Sequence, residues 1–251
     1  MLIALRALLK LTWLELKIFA REPLGLFGSI GIPLLVFVTV ARLAGPAASG
    51  AQRLNWPGGP FLPVLTTLLI ALNAVNSLIT IISIYREGGI LKRLRATPLR
   101  PQVILGTHVI VKLLLTAATM MLLYVGGRRY VPADAHVPYL SFALAALFAT
   151  WAILSIGFVV ASLVPTARFA QPMATLLLYP MLGLSGLFFP IAILPAAAQA
   201  VARVLPVTYA VSLLSGVWRG DPWSMHVFDV AALIATFLLC TVVAGRVFRW
   251  E

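Results

Sequence analysis

The sequence predicts an all-α membrane protein: six transmembrane helices, an amphipathic interfacial helix at the N-terminus and a short cytoplasmic helix between spans two and three. Three observations lead to that fold class. Of 251 residues, 61% are hydrophobic and 10% charged, against roughly 25% charged in soluble domains, so the chain could not cover its own surface with polar groups. Apolar stretches recur at about the 20-residue length a helix needs to cross a hydrocarbon core of about 30 Å. Lysines and arginines favour alternate connections between these stretches by two to one.

Residues 1–23 form the first element. At about 100° per residue, Arg6, Lys10, Lys17 and Arg21 fall within an arc of about 60°, with Leu5, Leu9, Leu16 and Phe19 on another side. This pattern fits a helix lying along the inner leaflet, with Pro23 turning the chain into the membrane. A lipid anchor that only sets topology accounts for the basic stripe. Glu15 and Glu22 lie away from it, on a face that could meet another protein. Charges at Arg6, Lys10, Glu15, Lys17 and Arg21 interrupt any signal-peptide core.

The six spans are expected over 24–43, 61–85, 102–125, 139–164, 171–190 and 226–246. With both termini cytoplasmic, twelve basic residues lie inside and six outside, while Lys112 falls within the third span. That orients the chain by the positive-inside rule. Span two places Thr66, Asn73, Asn76, Ser77 and Thr80 within about 100° of one face. Such residues line a substrate path, or they hydrogen-bond neighbouring helices at about 0.6–2 kcal/mol each. Asn73, Asn76 and Thr80 are the substrate-path candidates on this span, with Thr175, Tyr179 and Met181 on span five. A path without intramembrane carboxylates suits a lipophilic or amphiphilic substrate better than ion-coupled transport.

Between spans two and three, residues 86–101 carry five basic side chains and the acid Glu87. Ile90, Leu91 and Leu94 have the spacing of a short amphipathic helix. Thr97-Pro98 ends it, because a residue before proline is driven out of the α region, and Thr97 can cap the helix that follows. A topogenic loop explains the positive charge. Gly88-Gly89, the prolines and Glu87 are better explained by a helix shaped to dock in a cleft of a soluble partner.

Several chemistries are excluded or unsupported. The net charge of +12 is spread between apolar spans, with no nucleic-acid-binding pattern. Cys240 is the sole cysteine, which rules out a disulfide within the chain and a cysteine zinc site. There is no phosphate-binding Gly-x-x-x-x-Gly-Lys-Ser/Thr stretch. His108, His136 and His226 lack paired-ligand spacing, and the seven acids form no evident dyad. Ser185 in "GLSGL" misses the Gly-x-Ser-x-Gly pattern of a nucleophile elbow. The chain is expected not to be an enzyme and to hold no cofactor or metal.

Two stretches carry a family resemblance. "YREGGILKRLRATPLRPQVILG" (85–106) resembles the Arg-Glu-x-Gly-…-Leu-x-Arg-Leu-x-x-Thr/Ser-Pro-Leu stretch before the third helix of ABC-2 type transporter permeases. "LSGLFFPIAILPAAAQAVARVLPVTYAV" (184–211) is similar to that family's Ser-Gly-x-x-Phe-Pro … Leu-Pro-x-Thr-Tyr-Ala pattern. The drug-exporter branch, with its daunorubicin-resistance permeases, is the nearest in flavour. The resemblance implies the membrane subunit of an ABC exporter in a bacterial inner membrane, acting as a homodimer or heterodimer of permeases. ATP and Mg would be held by a separate ABC ATPase subunit. It implies that 86–101 is the coupling helix, with Arg86, Glu87, Gly88, Leu91, Arg93, Leu94, Thr97 and Pro98 engaging that ATPase. It further implies short re-entrant helices over 191–220 at the exit, shaped by Pro190, Pro195 and Pro206 and including Tyr209. Drug or antibiotic efflux is the implied activity, and export of a lipid, glycan or haem-like compound is the alternative; an ATP-independent carrier or channel and a membrane scaffold without transport are the alternatives from other classes. Relatives often carry an acid and then an Arg after Tyr-Ala-Val, where this chain has Ser212 and Ser215. That departure leaves a family ion pair open, with Arg219 a candidate replacement.

Overall fold

A computed structural model describes residues 2–43, 55–56, 59–88, 101–127, 138–164 and 166–247. Helix α1 spans Leu2–Arg21 and ends where expected, since Pro23 has no N–H to continue its ladder. The first expected span, 24–43, is helical throughout, with a change of helix type near its start. Helix α2, Pro23–Leu26, leads through a π-helical turn, Phe27–Gly31, into α3, Ile32–Leu43. Strands β1, Asn55–Trp56, and β2, Gly59–Pro60, form a two-residue antiparallel ladder. The longer helices are α4, Phe61–Glu87, α5, Pro101–Gly127, and α6, Tyr139–Leu163. They are followed by α7, Ala167–Leu184, α8, Ala196–Ala202, α9, Pro206–Arg219, and α10, Val227–Val247.

The centre of the bundle is α6, which packs against α4, α5, α9 and α10. Its sequence explains the position. Ala145, Ala146, Ala149, Ala152 and Ala161 are wholly buried, and small side chains let helices approach closely where lipid supplies no hydrophobic drive between them. On the side toward α10, Trp151 stacks on Phe237 with ring centroids 3.7 Å apart. Hydroxyls on these helices bond their own backbone: Thr67 donates to the Pro63 carbonyl, Thr107 to Val103 and Thr150 to Ala146. This removes a polar group from the apolar surroundings without a partner helix.

Among the described residues, three helical stretches are long and apolar enough to cross a membrane: Gly106–Val125, Tyr139–Leu163 and Trp223–Arg246. Helices α8 and α9, bent by 80° at a short break, raise the number to four if they act as one span. Helix α4 covers the second expected span, 61–85, with an apolar run over Pro63–Asn73. Helix α7 has 18 residues and contains Pro172 and Pro180, each of which frees a carbonyl one turn earlier.

Helix α7 also departs from the expected 171–190 range at both ends, and Gly186 (φ +83°) follows its C-terminus. That left-handed conformation favours glycine and halts the helix. Gly220 (φ +93°) stops α9 in the same way. From residue 89 onward, the short helix expected over 86–100 lies outside the described residues.

Candidate functional site

Among the described residues, three groups of polar or aromatic side chains break the apolar interior. The first joins α1 to the root of the 86–101 segment. Tyr85, in the last turn of α4, donates its hydroxyl to Glu15 Oε1 of α1 at 3.1 Å. The buried His108 ring of α5 lies 5.6 Å from the Tyr85 ring. One turn further along α5, Lys112 Nζ stands 5.8 Å from the centre of the Phe19 ring, a cation–π arrangement that helps a cation tolerate apolar surroundings. Glu15 therefore turns to Tyr85 of its own chain, whereas Glu22 is exposed.

Lys112 also borders a narrow pocket between α4, α5 and α6, lined by Thr66, Asn73, Thr116, Thr119 and Thr150. Thr119 and Thr150 bond carbonyls one turn back, and the Asn73 amide donates to Leu69 O at 3.1 Å. Thr66 is fully buried and its hydroxyl makes no hydrogen bond, unlike that of its neighbour Thr67. The pocket thus offers a cation and several hydroxyls to a polar group inside the bundle.

A larger cavity of about 370 Å³ opens where α5, α6 and α9 meet. Met120, Met121, Tyr124, Tyr139, Phe142 and Trp218 are among its walls. The Tyr124 and Tyr139 rings meet edge-on at 4.5 Å, and Phe142 contacts Trp218 at 5.1 Å. Tyr124 lies near the end of α5, and Tyr139 opens α6.

The third group joins α9 to α10. His226 Nδ1 lies 2.8 Å from Asp229 Oδ2, and Ser212 donates to the same oxygen at 2.8 Å. On its other side, Nε2 stands 3.6 Å from Asp221 Oδ2, which also faces Arg219 at 3.6 Å. Gly216 makes room for the ring, since a Cβ there would stand 1.9 Å from Nε2.

The residues singled out from sequence scatter across this framework. Arg86 and Glu87 close α4, Glu87 is exposed, and Gly88 lies in the following turn. Leu91, Arg93, Leu94, Thr97 and Pro98 lie outside the described residues. Asn73 lines the hydroxyl pocket, while the side chains of Asn76 and Thr80 are outside the described set. On α7, Thr175 is half-buried, Tyr179 exposed and Met181 buried; none lines either pocket. Pro190 precedes the 3-10 turn Ile191–Ile193, Pro195 precedes α8, and Pro206 opens α9. The Tyr209 hydroxyl bonds the Arg203 carbonyl, linking α9 to the end of α8.

Sequence reasoning missed Thr116, Thr119 and Thr150, because each lies on a helix whose role in the pocket depends on packing. It also left the acids unpaired, although Asp221 and Asp229 converge on His226. Where a family ion pair was in question, Ser212 instead donates to Asp229 and Arg219 faces Asp221.

Comparison with known proteins gives one family. Nodulation protein J of Rhizobium leguminosarum bv. viciae is 32% identical over 99 residues, 38% of this chain and 38% of that protein. Nodulation protein J of Rhizobium meliloti (strain 1021) is 31% identical over 99 residues, with the same coverage of both chains. The counterpart from Rhizobium leguminosarum bv. trifolii is 33% identical over 92 residues, 37% of this chain and 34% of the relative. The chain thus spans less than two fifths of the length of these relatives. The family model of the ABC-2 type transporter matches residues 6–218, from α1 into the last turn of α9, and the chain therefore belongs to the ABC-2 type transporter family.

Proposed function

We propose that the chain is the permease subunit of an ABC exporter, a six-span protein of a bacterial inner membrane with both termini cytoplasmic. Two permease copies enclose the path, and a separate ABC ATPase with its ATP and Mg drives transport from the 86–101 segment. The family match over residues 6–218 carries this reading. The bond between Tyr85 and Glu15 supports it, since it ties the interfacial helix to the base of the segment that would receive the ATPase. The cargo is a lipophilic or amphiphilic compound of drug or antibiotic type, in keeping with the aromatic cavity. Export of a lipid or glycan is a second reading, favoured by the hydroxyl-lined pocket at Lys112.

Co-purification with the candidate ATPase tests the proposal, comparing wild type with Glu87→Arg and Leu94→Asp after membrane insertion has been checked. Wild type is expected to retain the ATPase and stimulate its hydrolysis, and both variants to insert yet lose retention and stimulation. Variants that bind and couple normally would reduce 86–101 to a topogenic loop.

A further inference from the structure

The group around His226 has a feature that a static helix contact does not require. A carboxylate can only accept a hydrogen bond, so the 2.8 Å contact with Asp229 places a proton on Nδ1 of His226. In the neutral ring, Nε2 then carries a lone pair. That atom is buried, makes no hydrogen bond, and lies 3.6 Å from Asp221 Oδ2. Two acceptors thus face each other, and the arrangement improves on uptake of a single proton, which turns Nε2 into a donor to Asp221.

We infer that His226, held between Asp221 and Asp229, is a proton-binding strap that fastens the bent α8–α9 pair to the last helix. In the protonated form, Asp229 on α10, His226 in the 3-10 turn Trp223–His226, and Asp221 beyond the end of α9 become one continuous bridge. The surrounding groups are accounted for on each packed element. Helix α9 contributes the Ser212 hydroxyl, which already occupies Asp229, the buried Ser215 hydroxyl, and Arg219, which faces Asp221 from a largely exposed position. From α6, the Tyr139 ring reaches Trp218. The described acidic and basic side chains around the imidazole are therefore Asp221, Asp229 and Arg219.

Gly216 holds the ring in place, because its missing side chain is what lets Nε2 lie against α9. Two hinges would respond to the strap: Gly220, whose left-handed conformation ends α9, and the 80° break between α8 and α9. The bridge is complete only while the ring carries both protons, so acid favours a fastened exit segment and neutral pH a looser one. The compartment whose pH matters follows from the orientation under Proposed function, on which that part of the inference rests.

Hydrogen exchange over 206–226, corrected for the intrinsic effect of pH, tests the strap on the full chain in lipid nanodiscs at about pH 5.5 and 7.5. Protection in wild type is expected to be at least about fivefold greater in acid, within the usual range of coupling between two sites. Asp221→Asn keeps the ring and its bond to Asp229, and is expected to abolish the difference. His226→Gln should do the same. An unchanged wild-type profile, or a pH difference that survives Asp221→Asn, overturns the strap. Sealed vesicles with independently set internal and external pH separate the two ideas. Control by the compartment opposite the termini supports both. Control from the side of the termini keeps the strap and overturns the proposed orientation.

Discussion

At the residue scale, Gly216 and His226 show how a small side chain can matter through what it leaves open. Gly216 lies inside "SLLSGVWRG", where a helix glycine ordinarily costs about 1 kcal/mol relative to alanine. Here the usual gain on Gly→Ala is reversed, because the new Cβ would stand 1.9 Å from a buried ring nitrogen. Gly216→Ala is expected to lower stability by about 1–3 kcal/mol, as overpacking does. The midpoint of thermal unfolding in detergent measures it. Combining it with His226→Ser, which shortens the opposing side chain, should give a loss smaller than the sum of the two. The glycine and the histidine are each visible in sequence, but their contact is not, since a turn separates them and either could face lipid.

At the element scale, α6 and α10 have similar apolar composition and opposite environments. The apolar window of α6 is 61% buried and that of α10 only 6%. The difference lies in the alanines of α6, which allow neighbours to close on several sides, whereas α10 exposes Phe228, Leu238, Leu239, Val242 and Val243. Helix α1 illustrates a further limit. Its basic stripe predicted a membrane-surface helix, but Glu15 is aimed at Tyr85. Tyr85→Phe removes that bond while keeping the ring, at a cost of about 1 kcal/mol. Amide exchange in α1 is expected to speed up by about fivefold, with little change in α6. Equal acceleration in both helices would mean that the bond stabilises the whole bundle rather than anchoring α1.

At the scale of the whole molecule, the described surface is rich in large apolar side chains, including Leu140, Leu176, Leu239 and Phe228. Lipid covers such a surface as readily as a second protein does, so exposure alone does not count copies. The paired-permease reading predicts two copies in each functional particle, to be checked by stepwise photobleaching of singly labelled chains in nanodiscs. Particles with one copy that still transport would remove the shared path. The hydroxyl pocket at Lys112 lies between three helices of a single chain, so it persists in either case.

The sequence by itself determined the membrane character, the all-helical class and the family, because these follow from composition, the length of apolar runs and two local motifs. Pro23, Pro195 and Pro206 mark real element boundaries for the same reason: a missing N–H acts on the adjacent backbone whatever lies further away. Gly186 and Gly220 at helix ends also act locally, through the backbone conformation they permit. Tertiary structure decided which helix is central, which face of each is covered, and which polar residues meet. Thr66 and Thr67 are adjacent and chemically identical, yet one bonds its own helix and the other opens on a pocket. The helical period turns neighbouring residues about 100° apart, and only the packed bundle decides what each direction meets.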